Sequence, residues 1–285
     1  MSDRAVPTTA ETVRTGLIAG AIALLPQGVW SALIVGNLRV VPEVPWAAAV
    51  MVLLLTAGAQ YLRGAWGPAR SAGVRRRSLR ARIVPIQTFA RAWLAGGLAM
   101  MALGGGWIVL ASITRMPGSV LPDLSRYPRA TALISVAAGA LISPICEQAG
   151  IWGYWQECAE RRWSARTAVL STALLFALIP HPPAGAPFLP KLVFFFATGL
   201  TFSALAYRTQ SILPALPVHA IGLFAFFLVI WPHDPERRLV FTNGPDDWFW
   251  MHVAQTIVCG ALAVWVLSGL PRARDRHVRG ATAGS

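Results

Sequence analysis

The sequence predicts an all-α membrane protein, a polytopic bundle of about eight transmembrane helices. The chain has 285 residues, of which 55% are hydrophobic and 13% are charged, whereas soluble domains carry about 25% charged residues. Eight apolar runs follow one another, and most approach the roughly 20 residues that a helix needs to cross a bilayer. They lie at about 15–37, 45–62, 89–114, 130–156, 167–180, 190–207, 211–230 and 249–270.

The fifth apolar run is short and ends at Pro180, where the proline- and glycine-rich stretch 181–187 follows. Such a stretch cannot continue a regular helix. Irregular backbone at membrane depth is tolerated only where it faces protein or a water-filled cavity. We therefore expect the chain around His181 to face protein or to line a water-filled cavity.

The distribution of basic residues predicts the orientation in the membrane. If the N-terminus is cytoplasmic, 18 of the 25 Arg and Lys residues fall on the cytoplasmic side and 7 on the other. This bias favours a cytoplasmic N-terminus and C-terminus. The Arg-rich stretch 63–91 is expected to lie along anionic headgroups; its arginines include Arg75, Arg76, Arg77, Arg80 and Arg82. Because Arg and Ala are abundant, we expect a bacterial source and hence the inner, cytoplasmic membrane.

The formal net charge of +13 would suggest a nucleic-acid partner in a soluble protein. Here arginine-rich cytoplasmic loops account for the charge, and no nucleic-acid motif is present. We therefore expect the lipid bilayer, and no nucleic acid, among the partners. The cysteines Cys146, Cys158 and Cys259 show no paired spacing, which excludes a disulfide scaffold and a zinc ribbon.

Glu147 is the acidic residue that stands out, because it lies inside the fourth apolar run while the other eleven fall in loops, ends or interfaces. A charge at the bilayer centre costs about 2.5–3.5 kcal/mol on insertion scales. Glu147 must therefore be neutral, paired or in a hydrated cavity. A structural alternative is a protonated glutamate that bridges two helices.

Two histidines, His181 and His219, lie at a similar depth to Glu147. With a rise of 1.5 Å per residue, Glu147 lies roughly 15 Å deep, His219 roughly 16 Å and His181 roughly 22 Å. One carboxyl group and two imidazoles in one layer form an acid–base constellation. His233, His252 and His277 lie in a loop, at an interface and in a basic tail, and we assign them no chemistry.

The segments around Glu147, His181 and His219, in this order, resemble the CPBP family, the CAAX-protease and bacteriocin-processing family of intramembrane proteases. That family carries Glu-Glu-x-x-x-Arg-Gly, then Phe-x-x-x-His, then His-x-x-x-Asn. The first segment here reads Glu147-Gln148-Ala149-Gly150-Ile151-Trp152-Gly153. The second runs from Phe176 to His181, one residue longer than the usual spacing, and the third from His219 to Leu223.

The resemblance implies an intramembrane endopeptidase that hydrolyses a peptide bond in a peptide or membrane-protein substrate. Glu147 matches the glutamate that activates water as a general base. His181 matches the histidine that orients or polarises that water. His219 matches the histidine that helps to stabilise the oxyanion on the scissile carbonyl.

The sequence departs from the family pattern at three further candidate positions. Gln148 replaces the second glutamate, Trp152 the arginine and Leu223 the asparagine. Leu223 cannot donate a hydrogen bond, and loss of one oxyanion donor costs about 10²–10³ in rate. Gln148 or Ser143 could supply a replacement donor.

The same residues bear on whether the protein needs a metal ion. The family is often described as metalloproteases, and Glu147, His181 and His219 would make a zinc ligand set. If Glu147 were a ligand, the site would lack a base, because an amide such as Gln148 cannot serve as one. We therefore expect Glu147 to act as the base without a cofactor, with zinc as the alternative.

The sequence suggests three parts: N-terminal transmembrane helices with the basic loop over 1–129, a CPBP-like core over 130–230, and an outer loop, last helix and basic tail over 231–285.

Two functions other than an endopeptidase remain open. The three departures are typical of a catalytically impaired scaffold or binding protein. A proton-coupled transporter with Glu147 as the relay is less favoured, because no inverted repeat is visible.

Overall fold

The computed structural model describes residues 6–116, 126–179, 181 and 186–270. Within these ranges all regular structure is helical, and seven helices are long and apolar enough to cross a membrane. The predicted all-α polytopic bundle is confirmed. The fifth apolar run forms a shorter apolar helix, Ala165–Leu178, because the backbone becomes extended at Ile179, ahead of Pro180, as the residue before a proline usually does.

The α-helices in chain order are α1 (Thr9–Val40), α2 (Trp46–Arg63), α3 (Ala72–Ser78), α4 (Ile86–Ile113), α5 (Arg129–Glu147), α6 (Gln156–Arg162), α7 (Ala165–Leu178), α8 (Phe188–Thr209), α9 (Ala215–Ala225), α10 (Val240–Asn243) and α11 (Asp247–Ser268). A π-helix, Gln148–Trp155, joins α5 to α6, so that Arg129–Arg162 forms one continuous candidate span. A second π-helix, Phe226–Ile230, follows α9.

The chain forms two compact units, which are described separately. The first comprises Met1–Arg82 and Leu121–Arg162, and the second comprises Ile83–Val120 and Trp163–Ser285. The first therefore contains α1, α2, α3, α5 and α6 with the first π-helix, and the second contains α4 and α7 to α11.

In the first unit, α1 packs against α5 and the first π-helix, and α2 packs against α5. The helix α1 begins at a capping box, in which Thr8 and Glu11 each bind the other's backbone N–H, which satisfies two of the unpaired groups at a helix start. The core between the helices is formed by Trp30, Ala47, Met51, Ile142 and Cys146.

In the second unit, α4 packs along α11 and also contacts α8 and α9, and α7 packs on α8. Trp107 is fully buried, and its indole N–H donates to Asp234 at 2.7 Å. Arg237 donates to the other oxygen of Asp234 at 2.8 Å. Asp234 falls at the end of a candidate span, as the sequence indicated, but its side chain is buried because these two donors satisfy it.

The remaining helix surfaces are strongly apolar. On α2 and α11, Leu53 and Trp265 are 69% and 72% exposed. Single exposed apolar residues are common in soluble proteins, but a helix whose exposed face is continuously apolar is typical of contact with lipid. The fold therefore agrees with a multi-pass membrane protein.

Candidate catalytic site

The first motif segment lies where α5 changes into the π-helix Gln148–Trp155. Glu147 is the last residue of α5. A β-carbon on Gly150 would lie 2.5 Å from the Ala19 carbonyl oxygen, and one on Gly153 would lie 2.5 Å from the Leu79 carbonyl oxygen. Only glycine permits such close approach of backbones. π-helical turns are rare and are frequent at functional sites.

The carboxyl group of Glu147 is buried and held by two hydrogen-bond donors. The Ser143 hydroxyl lies 2.7 Å from Glu147 Oε1, and Gln27 Nε2 donates to the same oxygen at 3.2 Å. Ser143 lies one turn earlier on α5, while Gln27 comes from α1. These contacts satisfy a polar group that would otherwise be costly to bury, and they fix the orientation of the carboxyl group.

The amide of Gln27 is itself fixed on α1. Its Nε2 also donates to the Ala23 carbonyl at 2.7 Å, so each amide proton has a partner. Gln27 Oε1 lies 3.1 Å from the Ser143 hydroxyl. Because the hydroxyl has one proton, it donates either to Gln27 or to Glu147 at a given moment. The three side chains therefore form one connected network within the first unit.

Gln27 was not predicted from the sequence, and the position of Ser143 could not be predicted either. The available signal was an amide side chain inside the first apolar run, directly after Pro26. That signal could not identify Glu147 as its partner, because 120 residues separate the two. Ser143 is the hydroxyl that the sequence offered as a replacement donor, and the structure places it against the carboxyl group of Glu147.

His181 lies between α7 and α8 in the second unit, and three contacts fix it. Its Nε2 lies 2.8 Å from the Phe176 carbonyl oxygen. Its ring stacks on Phe195 with centroids 3.9 Å apart, and its own carbonyl accepts a hydrogen bond from Lys191 Nζ at 2.7 Å. Because a carbonyl only accepts, Nε2 carries a proton, and when the ring is neutral Nδ1 carries the lone pair.

His219 lies on α9 and is 6% exposed. Its ring stacks on Phe202 with centroids 4.3 Å apart. Phe202 follows Phe195 by seven residues on α8, which is about two helical turns and therefore the same face. One face of α8 thus receives both imidazoles.

The three secondary candidates are distributed over both units. Gln148 and Trp152 lie on the first π-helix and are fully buried. Leu223 lies on α9, one turn after His219, and is half-buried. Glu147 belongs to the first unit, whereas His181 and His219 belong to the second. The catalytic roles of these residues stay predictions.

The side chains that could ligate a metal are dispersed among the described residues of each unit. Within the described part of each unit, no three His, Cys, Asp or Glu side chains are grouped so as to hold a metal ion. The donors around Glu147 are a hydroxyl and an amide N–H, which suit a carboxyl oxygen rather than a cation. Zinc held by Glu147, His181 and His219 stays an untested alternative.

The other three histidines differ in their surroundings. His252 is buried on α11, and its Nδ1 lies 2.8 Å from Gln255 Oε1. His233 is exposed and lines a cleft with Arg237, Arg238 and Asp246. His277 and the four arginines after Leu270 lie outside the described residues.

Comparison with known protein families identifies a segment that contains all three motif segments. Residues 129–225 match the family described as type II CAAX prenyl endopeptidase Rce1-like. Glu147, His181 and His219 all fall within this match. No curated protein and no solved structure matches the chain. The resemblance is therefore confirmed: this multi-pass membrane protein carries an Rce1-like domain of the CPBP protease family over residues 129–225.

Proposed function

We propose that the protein is an intramembrane endopeptidase in which Glu147 activates water for peptide hydrolysis. The observation that supports this is a buried carboxyl group, inside a candidate span and on the family's first motif, whose orientation is fixed by Ser143 and Gln27. Ionisable side chains inside membrane spans usually mark functional sites.

The proposed reaction follows from the roles that the family resemblance implies. Glu147 takes a proton from water as the water oxygen attacks the scissile carbonyl carbon. His181 accepts a hydrogen bond from that water through Nδ1, while His219 stabilises the negative charge on the carbonyl oxygen. Glu147 then passes its proton to the amide nitrogen as the carbon–nitrogen bond breaks, which releases a carboxyl and an amino product.

The test is cleavage by the full chain reconstituted in liposomes. The probes are internally quenched peptides of two kinds, one ending in a farnesylated cysteine followed by three residues and the other an unprenylated membrane-spanning peptide. Glu147→Gln should abolish cleavage, because the amide cannot take a proton, and should leave membrane insertion and thermal stability nearly unchanged. Glu236→Gln, at an exposed position, is the control. Full cleavage by Glu147→Gln would show that Glu147 is not the general base.

A second candidate, a catalytically impaired scaffold or binding protein, is favoured by Leu223. Its hydrocarbon side chain stands where the family has an amide donor, and it lies one turn after His219. This candidate predicts that a membrane partner co-purifies in mild detergent but that neither probe nor partner is cleaved. Cleavage by the wild type that is lost in His219→Ala would exclude it.

We also propose that both chain ends are cytoplasmic and that the membrane is the bacterial inner membrane. The distribution of 18 against 7 basic residues supports this orientation, since basic residues concentrate in cytoplasmic loops. Fusion of a reporter that is active only in the cytoplasm, at residue 285, should give activity. A reporter that is active only outside the cytoplasm should be silent at the same position.

A further inference from the structure

The connection from α2 to α4 begins where a candidate span ends. The helix α2 stops at Arg63, and Gly64 caps it in the left-handed conformation with φ of 88°. The described first unit continues to Arg82, through a 3₁₀ turn, Ala69–Ser71, and α3. No Asp or Glu occurs between residues 44 and 122. This part of the chain is therefore strongly cationic and lies close to the membrane boundary.

Two of its arginines hold the connection in shape. Arg80 is 2% exposed and makes two hydrogen bonds to Glu160, at 3.0 and 2.7 Å. Arg75 lies over the Tyr61 ring at 4.2 Å and donates to the Tyr61 carbonyl at 2.7 Å. The expectation that the stretch 63–91 lies along headgroups stays a prediction, in which the buried Arg80 takes no direct part because Glu160 binds it.

The other arginines of the connection, Arg70, Arg76, Arg77 and Arg82, are exposed. Among the described residues, no hydrogen bond or ion pair engages the guanidinium groups of Arg70, Arg76 and Arg77. Trp66 and Val74, in the same connection, are 59% and 57% exposed. Arg70, Val74 and Arg77 are spaced four and three residues apart along a continuous helical stretch, which places them on one face. We call Trp66, Arg70, Val74 and Arg77 the arginine face.

We infer that the arginine face docks on anionic phospholipid headgroups of the leaflet in which α2 ends. Tryptophan is enriched at membrane interfaces, and arginine can bury its stem while its guanidinium contacts phosphate. Exposed cations, in a stretch of sequence that has no acidic residue, are attracted by the negative surface potential of such a leaflet. Arg75 and Arg80 hold the connection in the shape that presents this face, and the proposed peptidase activity plays no part in the inference.

The test measures the depth of the connection in vesicles. Ala69→Cys, at an exposed position, carries a fluorophore in a full-length chain with Cys259→Ser; the two other cysteines, Cys146 and Cys158, are buried. The protein is reconstituted in phosphatidylcholine vesicles with or without phosphatidylglycerol. A nitroxide on the lipid headgroup quenches the fluorophore according to its proximity.

Quenching should rise when phosphatidylglycerol is added and should fall again in high salt, which screens exposed charges. The variant R70Q/R77Q should lose the response to phosphatidylglycerol. The matched control R14Q/R161Q removes the same charge from two other exposed arginines and should keep the response. Absence of the response in the wild type, or equal loss in both double variants, would overturn the inference.

Discussion

Gln27 Nε2 lies 3.2 Å from Glu147 Oε1, although 120 residues separate the two in sequence. Gln27 lies on α1, outside the segment 129–225 that matches the family. The surroundings of the proposed base are therefore completed by a helix that the family match does not include. We expect that residues 129–225 alone would not hold Glu147 in the same orientation.

Gln27→Ala should lower kcat/KM by about 10–100-fold, because a hydrogen bond to a charged group contributes about 1.5–3 kcal/mol and each 1.4 kcal/mol is tenfold. The measurement is cleavage of the quenched peptides in liposomes. Thr15→Ala removes from the same helix a hydroxyl that donates to the Glu11 carbonyl, and it should leave the rate unchanged.

The same pair of donors permits a double-mutant cycle. Because Ser143 and Gln27 contact one oxygen of Glu147 and also each other, their effects should not be additive. Ser143→Ala combined with Gln27→Ala should therefore cost less than the sum of the single changes. Strict additivity would show that the two side chains act independently and would contradict the connected network.

His181 should be a neutral imidazole that is protonated at Nε2. The Phe176 carbonyl oxygen, 2.8 Å away, can only accept. Solid-state NMR of the chain with ¹⁵N-labelled histidine would measure this, with His181→Gln used to assign the signal. A ring that is protonated at Nδ1 would be inconsistent with the geometry, and the role of Nδ1 as acceptor for the water would then fail.

Gly153→Ala should destabilise the first unit by about 1–3 kcal/mol or more, as overpacking usually does. The added β-carbon would lie 2.5 Å from the Leu79 carbonyl oxygen and 2.9 Å from its carbon. Thermal unfolding in detergent would measure the loss. Gly20→Ala is the matched control, because nothing lies within 4 Å of its β-carbon position, and it should be neutral or stabilising.

Arg80→Ala should lower stability by about 3–5 kcal/mol, because it leaves the Glu160 carboxylate without its buried partner. Arg76→Ala, an exposed arginine four residues earlier, should change stability by less than about 0.5 kcal/mol. Replacing both partners, as in R80M/E160M, should recover most of the loss, since apolar pairs can substitute for buried ion pairs. An Arg80→Ala protein as stable as the wild type would show that the pair contributes nothing.

The helices could be predicted because each apolar run has the length that a bilayer requires, and Glu147 could be singled out because a carboxyl group inside such a run is costly. The partners of individual side chains could not. A charged residue in a basic run, such as Arg80, is expected at the surface unless its partner is known, and Glu160 lies 80 residues away. The π-helix left no signal either, because its apolar residues do not reveal which backbone hydrogen-bond spacing they adopt.

The π-helix between Glu147 and α6 also affects how side chains are assigned to faces. In an α-helix each residue turns by about 100°, and a π-helix uses more residues for each turn. A helical wheel drawn through 129–162 as one α-helix would therefore rotate Glu160 away from its true direction. Deleting one residue from 148–155 should turn α6 by a comparable angle and separate Glu160 from Arg80. The π-helix therefore determines the direction in which the side chains of α6 point. An insertion or deletion within 148–155 would change that direction.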